Sequence, residues 1–238
     1  MYAISLTSIP PRYPRLGPVL HSLVNQRPAP ARVILCLPRR HARFPAPAAP
    51  PALPDGVEIL WHDADLGPAT KVLPAARHLA GRCRRLVYCD DDWIMPPGWA
   101  ATLMDAQTPG TAVTGSGFAV SRLGCQTHRG GGDPDLTDIA QGFSGVLVDP
   151  EWLSSPAFDP PAAAWAVDDI WLSGILAHRN IALRTVQAAR KGMRLAFEDE
   201  HRLQDTMIAG RGRHAANLTC AGLLHERYGI WPPAKARP

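Results

Sequence analysis

The chain has 238 residues, 46% of them hydrophobic and 19% charged, which is apolar enough for one packed domain and too weakly charged for a disordered one. Its 25 prolines and 20 glycines imply many turns and long loops and exclude a simple helix bundle. A net charge of +4 with a pI near 9.0 suits an anionic ligand, but there is no dense Lys/Arg run and no interleaved aromatic stripe, so nucleic acid is not the expected partner. The five cysteines (Cys36, Cys83, Cys89, Cys125 and Cys220) show no C-x-x-C spacing, which argues against zinc or a disulfide framework and for a reducing compartment. With no cationic leader and no run of ~20 apolar residues, a cytoplasmic protein without an integral membrane segment is expected.

In chain order, residues 2–9 alternate and stop at Pro10-Pro11, predicting a strand that runs into a loop. Apolar residues at Leu16, Val19, Leu20, Leu23 and Val24 predict a helix over 16–26. Residues 32–37 and 57–61 read as the next two strands, separated by a Pro- and Ala-rich loop over 44–54. A helix is expected over 69–79 after the Gly67-Pro68 turn, and a short buried strand over 86–89 leads straight into Asp90-Asp91-Asp92. Farther on, 111–120 and 146–148 read as strands, 129–135 as a mobile glycine-rich loop, and 167–178 as a helix with Val167, Ile170, Trp171, Gly174, Ile175 and His178 on one stripe. Strands alternating with helices imply an α/β domain with a mostly parallel central sheet flanked by helices. In such sheets ligands sit beyond the carboxyl ends of the strands, where the acidic triplet falls.

Three adjacent aspartates repel one another, and a divalent cation removes that cost. Mg²⁺ or Mn²⁺ takes one or two carboxylates together with phosphate oxygens of a substrate. Strand alternation lets Asp90 and Asp92 reach one ligand while Asp91 points elsewhere. A solvated acidic turn stands beside this reading as the plain alternative.

ISLTSIPPR followed by VLHSLVNQRP, then DLGPATKVLPAAR with LVYCDDDWIMPPGW, and finally AQGFSGVLVDPEWL with VDDIWLSGIL together resemble the GT-A glycosyltransferases of the large inverting family-2-like group. The resemblance covers roughly residues 2–182. It implies a single Rossmann-like GT-A domain over residues 1–238, with a nucleotide-sugar and metal-binding half at 1–107, an acceptor-side half at 108–200 and a C-terminal segment at 201–238. It also implies sugar transfer with inversion from a nucleotide-diphosphate donor, a UDP-sugar first, to the hydroxyl of a glycan or other acceptor, with Mn²⁺ or Mg²⁺ as cofactor. The triplet corresponds to the D-x-D element of that group: Asp92 would contact the metal, and Asp90, with Asp91 between them, would hold the ribose or an outer metal water. One departure concerns the base. The second strand of that group ends in an aspartate, whereas this one ends Cys36-Leu37-Pro38, leaving Asp63 or Asp65 to substitute.

Asp168 and Asp169 open the helix over 167–178, where the macrodipole favours ionised carboxylates. An ionised acid facing the cleft can act as general base, and an N-cap with a first-turn acid explains the pair equally well. By the resemblance the base is Asp169, and Asp168 caps the helix or binds acceptor. Lys71 and Arg12 are phosphate candidates, and Thr7 and Ser8 are candidates to meet the nucleoside. Gly142, Ser144 and Gly145 either admit a sugar ring or form a tight turn. Trp93 and Trp99 either stack on a sugar or pack in the core, and His201, His214 and His225 are available as a further metal ligand. A phosphohydrolase of the aspartyl type carries its D-x-D after the first strand, whereas this triplet follows the fourth. A nucleotidyltransferase needs a glycine-rich loop where Ser8-Ile9-Pro10-Pro11 stands. A nucleotide-sugar-binding module without turnover remains the non-enzymatic alternative.

Overall fold

The structure, a computed structural model, describes residues 1–127, 133–198 and 212–234. Its strands are β1 Ala3–Thr7, β2 Arg32–Pro38, β3 Val57–His62, β4 Leu86–Tyr88, β5 Trp93–Ile94, β6 Thr111–Thr114, β7 Gly117–Phe118, β8 Leu136–Thr137, β9 Ile139–Ala140, β10 Val146–Val148, β11 Ala182–Thr185 and β12 Arg194–Leu195. The α-helices are α1 Gly17–Val24, α2 Leu73–Leu79, α3 Trp99–Asp105, α4 Asp168–His178 and α5 Arg213–Tyr228.

One sheet runs in the order β3-β2-β1-β4-β10-β6-β11-β8. Strands β3, β2, β1 and β4 are parallel, β10 is antiparallel to both β4 and β6, and the edge strand β8 is antiparallel to β11. The sheet is buried on both faces because its inner strands are largely apolar, with Ser5 of β1 and Thr114 of β6 as buried polar exceptions. Along β2, Val33, Leu35 and Leu37 pack with α1 and α3, while Ile34 and Cys36 join the core under α2 and α4. Gln26, closing the LVNQ segment, ties these layers together: its side-chain amide donates to Pro96 O at 2.8 Å and accepts from Ala100 N at 3.0 Å.

Several expectations change. The helix over 69–79 is divided into a 3-10 turn, Gly67–Lys71, and α2, since Pro74 suits only a helix's first turn; the break turns Lys71 inward. The strand over 111–120 ends at Thr114, and Gly117–Phe118 pairs instead with β9. The chain must bend there because Gly115 passes the 142–145 turn so closely that a Cβ would lie 2.8 Å from Ser144 O. Helix α4 is buried nearly all round and not along one stripe: α5 packs on the stripe itself, where a Cβ on Gly174 would meet Leu224 Cδ1 at 2.4 Å, and off the stripe Ser173 Oγ accepts from Ala140 N of β9 at 3.0 Å. Most of the loop expected over 129–135 lies outside the described residues. Among the described residues no helix is long and apolar enough to cross a membrane.

Gly145 (φ +89°) sits where a Cβ would come within 2.2 Å of Trp99 Cζ2. Gly145→Ala is expected to destabilise the fold by about 3 kcal/mol or more through backbone strain and overpacking, measured as a lower midpoint in urea.

Candidate active site

Strands β1 and β4 lie side by side in parallel, with Ser5 opposite Tyr88, so the segments that follow them leave the sheet at the same edge. After β1 the chain turns through Ser8 into the 3-10 helix Pro10–Arg15, and after β4 come Cys89 and the three aspartates. The first turn of α4 meets them there. Together they line a cleft of about 700 Å³.

Five carboxylates converge in this cleft, and each is held differently. Asp91 is buried; it accepts from Ser8 Oγ and from Arg12 Nη1 at 2.5 Å. Asp90 accepts from Lys71 Nζ, which also pairs with Asp168 Oδ2 at 2.8 Å. The Lys71 side chain is only 3% exposed. Asp169 Oδ1 accepts from the backbone N–H of Gly142 at 2.9 Å. A side chain at residue 142 would displace the Lys71 ammonium from this cluster, since its Cβ would lie 2.5 Å from Lys71 Nζ and 3.3 Å from Asp169 Oδ1. Asp92 Oδ1 is buried with no hydrogen-bond partner, while its backbone carbonyl accepts from Ala196 N at 2.7 Å, alongside the β5–β12 pair.

The electrostatics follow from crowding like charges in a half-closed space. Burial, then Asp90 and Asp91, push the Asp92 carboxyl up to about 7. Burial, then Asp168, raise Asp169 to about 7 as well, with Asp90 adding to this against the pull of Lys71 and the Gly142 amide. Burial opposes the Lys71 ammonium, but Asp168, Asp90 and Asp169 together outweigh it and hold it firmly charged. Burial also raises Asp91, although Arg12 and Ser8 favour its ionised form.

A sheet in which the parallel run β3-β2-β1-β4 continues through one reversed strand, with an acidic loop at the carboxyl edge of β4, has one familiar architecture. The fold is the GT-A fold. No protein-family model matches the sequence, and no curated protein sequence matches it. Among solved structures, the chain is similar to a mycobacterial protein at 13% identity, over 97% of this chain and 75% of that one, with a TM-score of 0.50. It is also similar to glucosyl-3-phosphoglycerate synthase from Mycobacterium tuberculosis, in complex with Mn²⁺, uridine-diphosphate and glucosyl-3-phosphoglycerate, at 14% identity over 97% and 80% with a TM-score of 0.49. A third is the galactosyltransferase LgtC with donor and acceptor sugar analogues, at 8% identity over 78% and 73% with a TM-score of 0.45.

Within the GT-A cleft the structure brings together Thr7, Ser8, Arg12, Asp65, Lys71, Asp90, Asp91, Asp92, Trp93, Asp168 and Asp169 along one lining, with Gly142 against the carboxylates. Each also has contacts of its own within the protein. The ammonium of Lys71, a phosphate candidate, pairs with Asp90 and Asp168. Ser8 and Arg12 hold Asp91 in place. Asp65 is a turn residue whose two oxygens accept from Ala42 N at 2.7 Å and Gly67 N at 2.8 Å. Asp168 does not cap α4: the N-cap is Val167, without a side-chain cap bond, and Asp168 is Lys71's ion-pair partner. Ser144 and Gly145 are not part of this lining; Ser144 is buried, and its backbone carbonyl accepts from the indole N–H of buried Trp99 at 2.8 Å. Trp99 is therefore a core residue, while Trp93 lines the cleft with its ring 5.4 Å from that of Phe143. His225 Nδ1 lies 3.1 Å from Ile230 O, and His201 lies outside the described residues. His41, Phe44, Phe143, Trp165, Arg213 and Asn217 also line the cleft; the AQGFSG segment could have pointed to Phe143, and no local motif marks the other five.

Among the described residues no three His, Cys, Asp or Glu side chains form a ready-made metal cage. The chemistry that fits is a cation held by Asp92, through its unpartnered buried oxygen, and by the 36% exposed Asp90 carboxylate, with the remaining ligands coming from phosphate and water.

Two outcomes follow. Lys71→Met leaves two acids without their countercharge and is expected to cost about 3–5 kcal/mol, measured by urea melts. Burial and the neighbouring acids raise the Asp92 carboxyl from the ordinary aspartate value of 3.8 to about 7. Its contribution is therefore complete below pH 4 and lost as pH climbs to about 7. The melting temperature of Asp92→Asn should accordingly rise relative to wild type between pH 4.5 and 7.5 in EDTA.

Proposed function

We propose that the chain is a glycosyltransferase that uses Mn²⁺ or Mg²⁺ to move a sugar, with inversion, from a nucleotide-diphosphate donor to an acceptor hydroxyl. UDP-sugars are the first donors to screen. The observation that carries this reading is the charge imbalance in the GT-A cleft: five aspartates converge and, among the described residues, Lys71 and Arg12 are the cations paired with them. The site therefore calls for further positive charge while keeping Asp92 and one edge of Asp90 to bind it.

When bound at Asp92 and Asp90, the cation would stabilise the charge that develops on the departing diphosphate. The acceptor oxygen attacks the anomeric carbon, the bond from that carbon to the phosphate oxygen breaks, and its electron pair leaves with the nucleoside diphosphate. The acceptor proton passes to Asp169, whose Oδ1 is anchored on the Gly142 amide and whose other oxygen is left for the substrate. A carboxyl raised to about 7 is well matched to taking a proton near neutral pH. Asp168 and Lys71 do not touch the substrate; they fix the relation between Asp90 on the donor side and the start of α4 on the acceptor side. Trp93 and Phe143 offer aromatic surface between the two.

Thermal-shift titration with UDP, GDP, CDP and dTDP, with and without Mn²⁺, tests the donor class. Stabilisation that requires both nucleotide and cation, and that Asp92→Asn abolishes, is the expected result; failure of every nucleotide in manganese buffer refutes the proposal. Asp169→Asn should keep nucleotide binding and lower kcat by about 10²–10⁴-fold, read from release of nucleoside diphosphate on addition of acceptor.

A further inference from the structure

Helix α5 has an inward stripe that changes character along its length. Cys220 and Leu224 are fully buried, with Leu224 against Gly174 of α4. One and two turns nearer its N-terminus the same stripe carries Asn217 and Arg213, and both line the cleft. An inward face that is apolar where it meets α4 and polar where it meets open space is built for a polar occupant of that space.

The hydrogen bonding of the pair supports this. Asn217 Oδ1 is buried and accepts nothing, although buried side-chain oxygens are nearly always satisfied. Arg213 donates one bond, from Nη1 to Ala166 O at 2.8 Å, which anchors the guanidinium two residues before Asp168 and leaves its other donors in the cleft. Half-buried rings of Trp165 and Phe118 line the same space, and the Trp165 indole N–H is fixed on Asp65 O at 2.9 Å. An acceptor oxygen lacking a donor, a fork of donors and flanking aromatic faces match the alternating hydroxyls and apolar ring face of a pyranose.

We propose that Asn217 and Arg213 form the recognition subsite for a pyranoside acceptor, with Asn217 Oδ1 accepting from one ring hydroxyl and Arg213 donating to its neighbour. This rests on the transferase reading above and adds to it the substrate class and the residues that select it. The subsite is carried on α5, whereas the aspartates expected to hold the donor follow β4, so removing either side chain is expected to weaken acceptor binding and leave donor binding unchanged.

The test measures binding of the methyl α- and β-pyranosides of glucose, galactose and mannose by saturation-transfer NMR and calorimetry, to protein with and without UDP and Mn²⁺. At least one should bind wild type, and Asn217→Ala and Arg213→Lys should each weaken it about fivefold or more, the effect of one lost hydrogen bond. The Mn²⁺-dependent UDP stabilisation of both variants should match wild type, which also shows that they fold. The inference is overturned if no pyranoside binds wild type, or if the bound one holds equally well to both variants. Should wild type fail to bind any nucleoside diphosphate, the transferase reading falls separately, and the nucleotide-free arm still decides whether Asn217 and Arg213 hold a sugar.

Discussion

The whole site is organised around one buried ammonium. Five carboxylates brought within a few ångströms at the edge of a sheet repel one another, and a chain carrying them would open at this edge unless part of the charge were answered from inside. Lys71 does this. Its side chain is almost completely enclosed, and it bridges Asp90 at the end of β4 to Asp168 at the start of α4. That bridge joins elements from the two halves of the fold, so the position of α4 relative to the acidic loop is electrostatically determined.

The surrounding residues make the bridge possible. The break before α2 allows Lys71 to point inward, and a residue without a side chain at 142 leaves room for its Nζ. Arg12 and Ser8 remove Asp91 from the cluster by binding it toward β1. What remains after these pairings is the part available to a ligand: the buried oxygen of Asp92, the exposed edge of Asp90 and one oxygen of Asp169. Structural pairing thus selects which acids stay open to a ligand, and it places Asp90 and Asp168 on the same lysine.

The cleft wall formed by Trp165 and α5 has a different origin. Trp165 packs over Gly67, where a Cβ would lie 2.4 Å from the Trp165 carbonyl oxygen, and α5 closes over α4 through Leu224. The aromatic and polar groups of that wall are carried on elements whose main contacts lie in the core, so they are rigidly presented to the cleft.

Much was legible in local pattern alone. The apolar runs of β1, β2 and β4, the helix α1 and the start of α4 follow from periodicity and from turn residues at their ends, and Asp90-Asp91-Asp92 after a buried strand already marks a charged site at the carboxyl edge of a sheet. Adjacency along the chain made these features readable. Partnership across the fold did not: nothing near Lys71 announces Asp168, nothing in Gly145 announces Trp99, and nothing in Asn217 announces an open cleft. Short strands such as β11, and the reversal of β10 between β4 and β6, likewise depend on pairing with distant segments, because three or four residues carry too little periodicity to specify a neighbour. The sequence by itself determined which residues are acidic, apolar or turn-forming and in what order they come. Tertiary packing decided which of those acids are neutralised and which stay available, since burial and pairing over long chain separations set the energy of each charge.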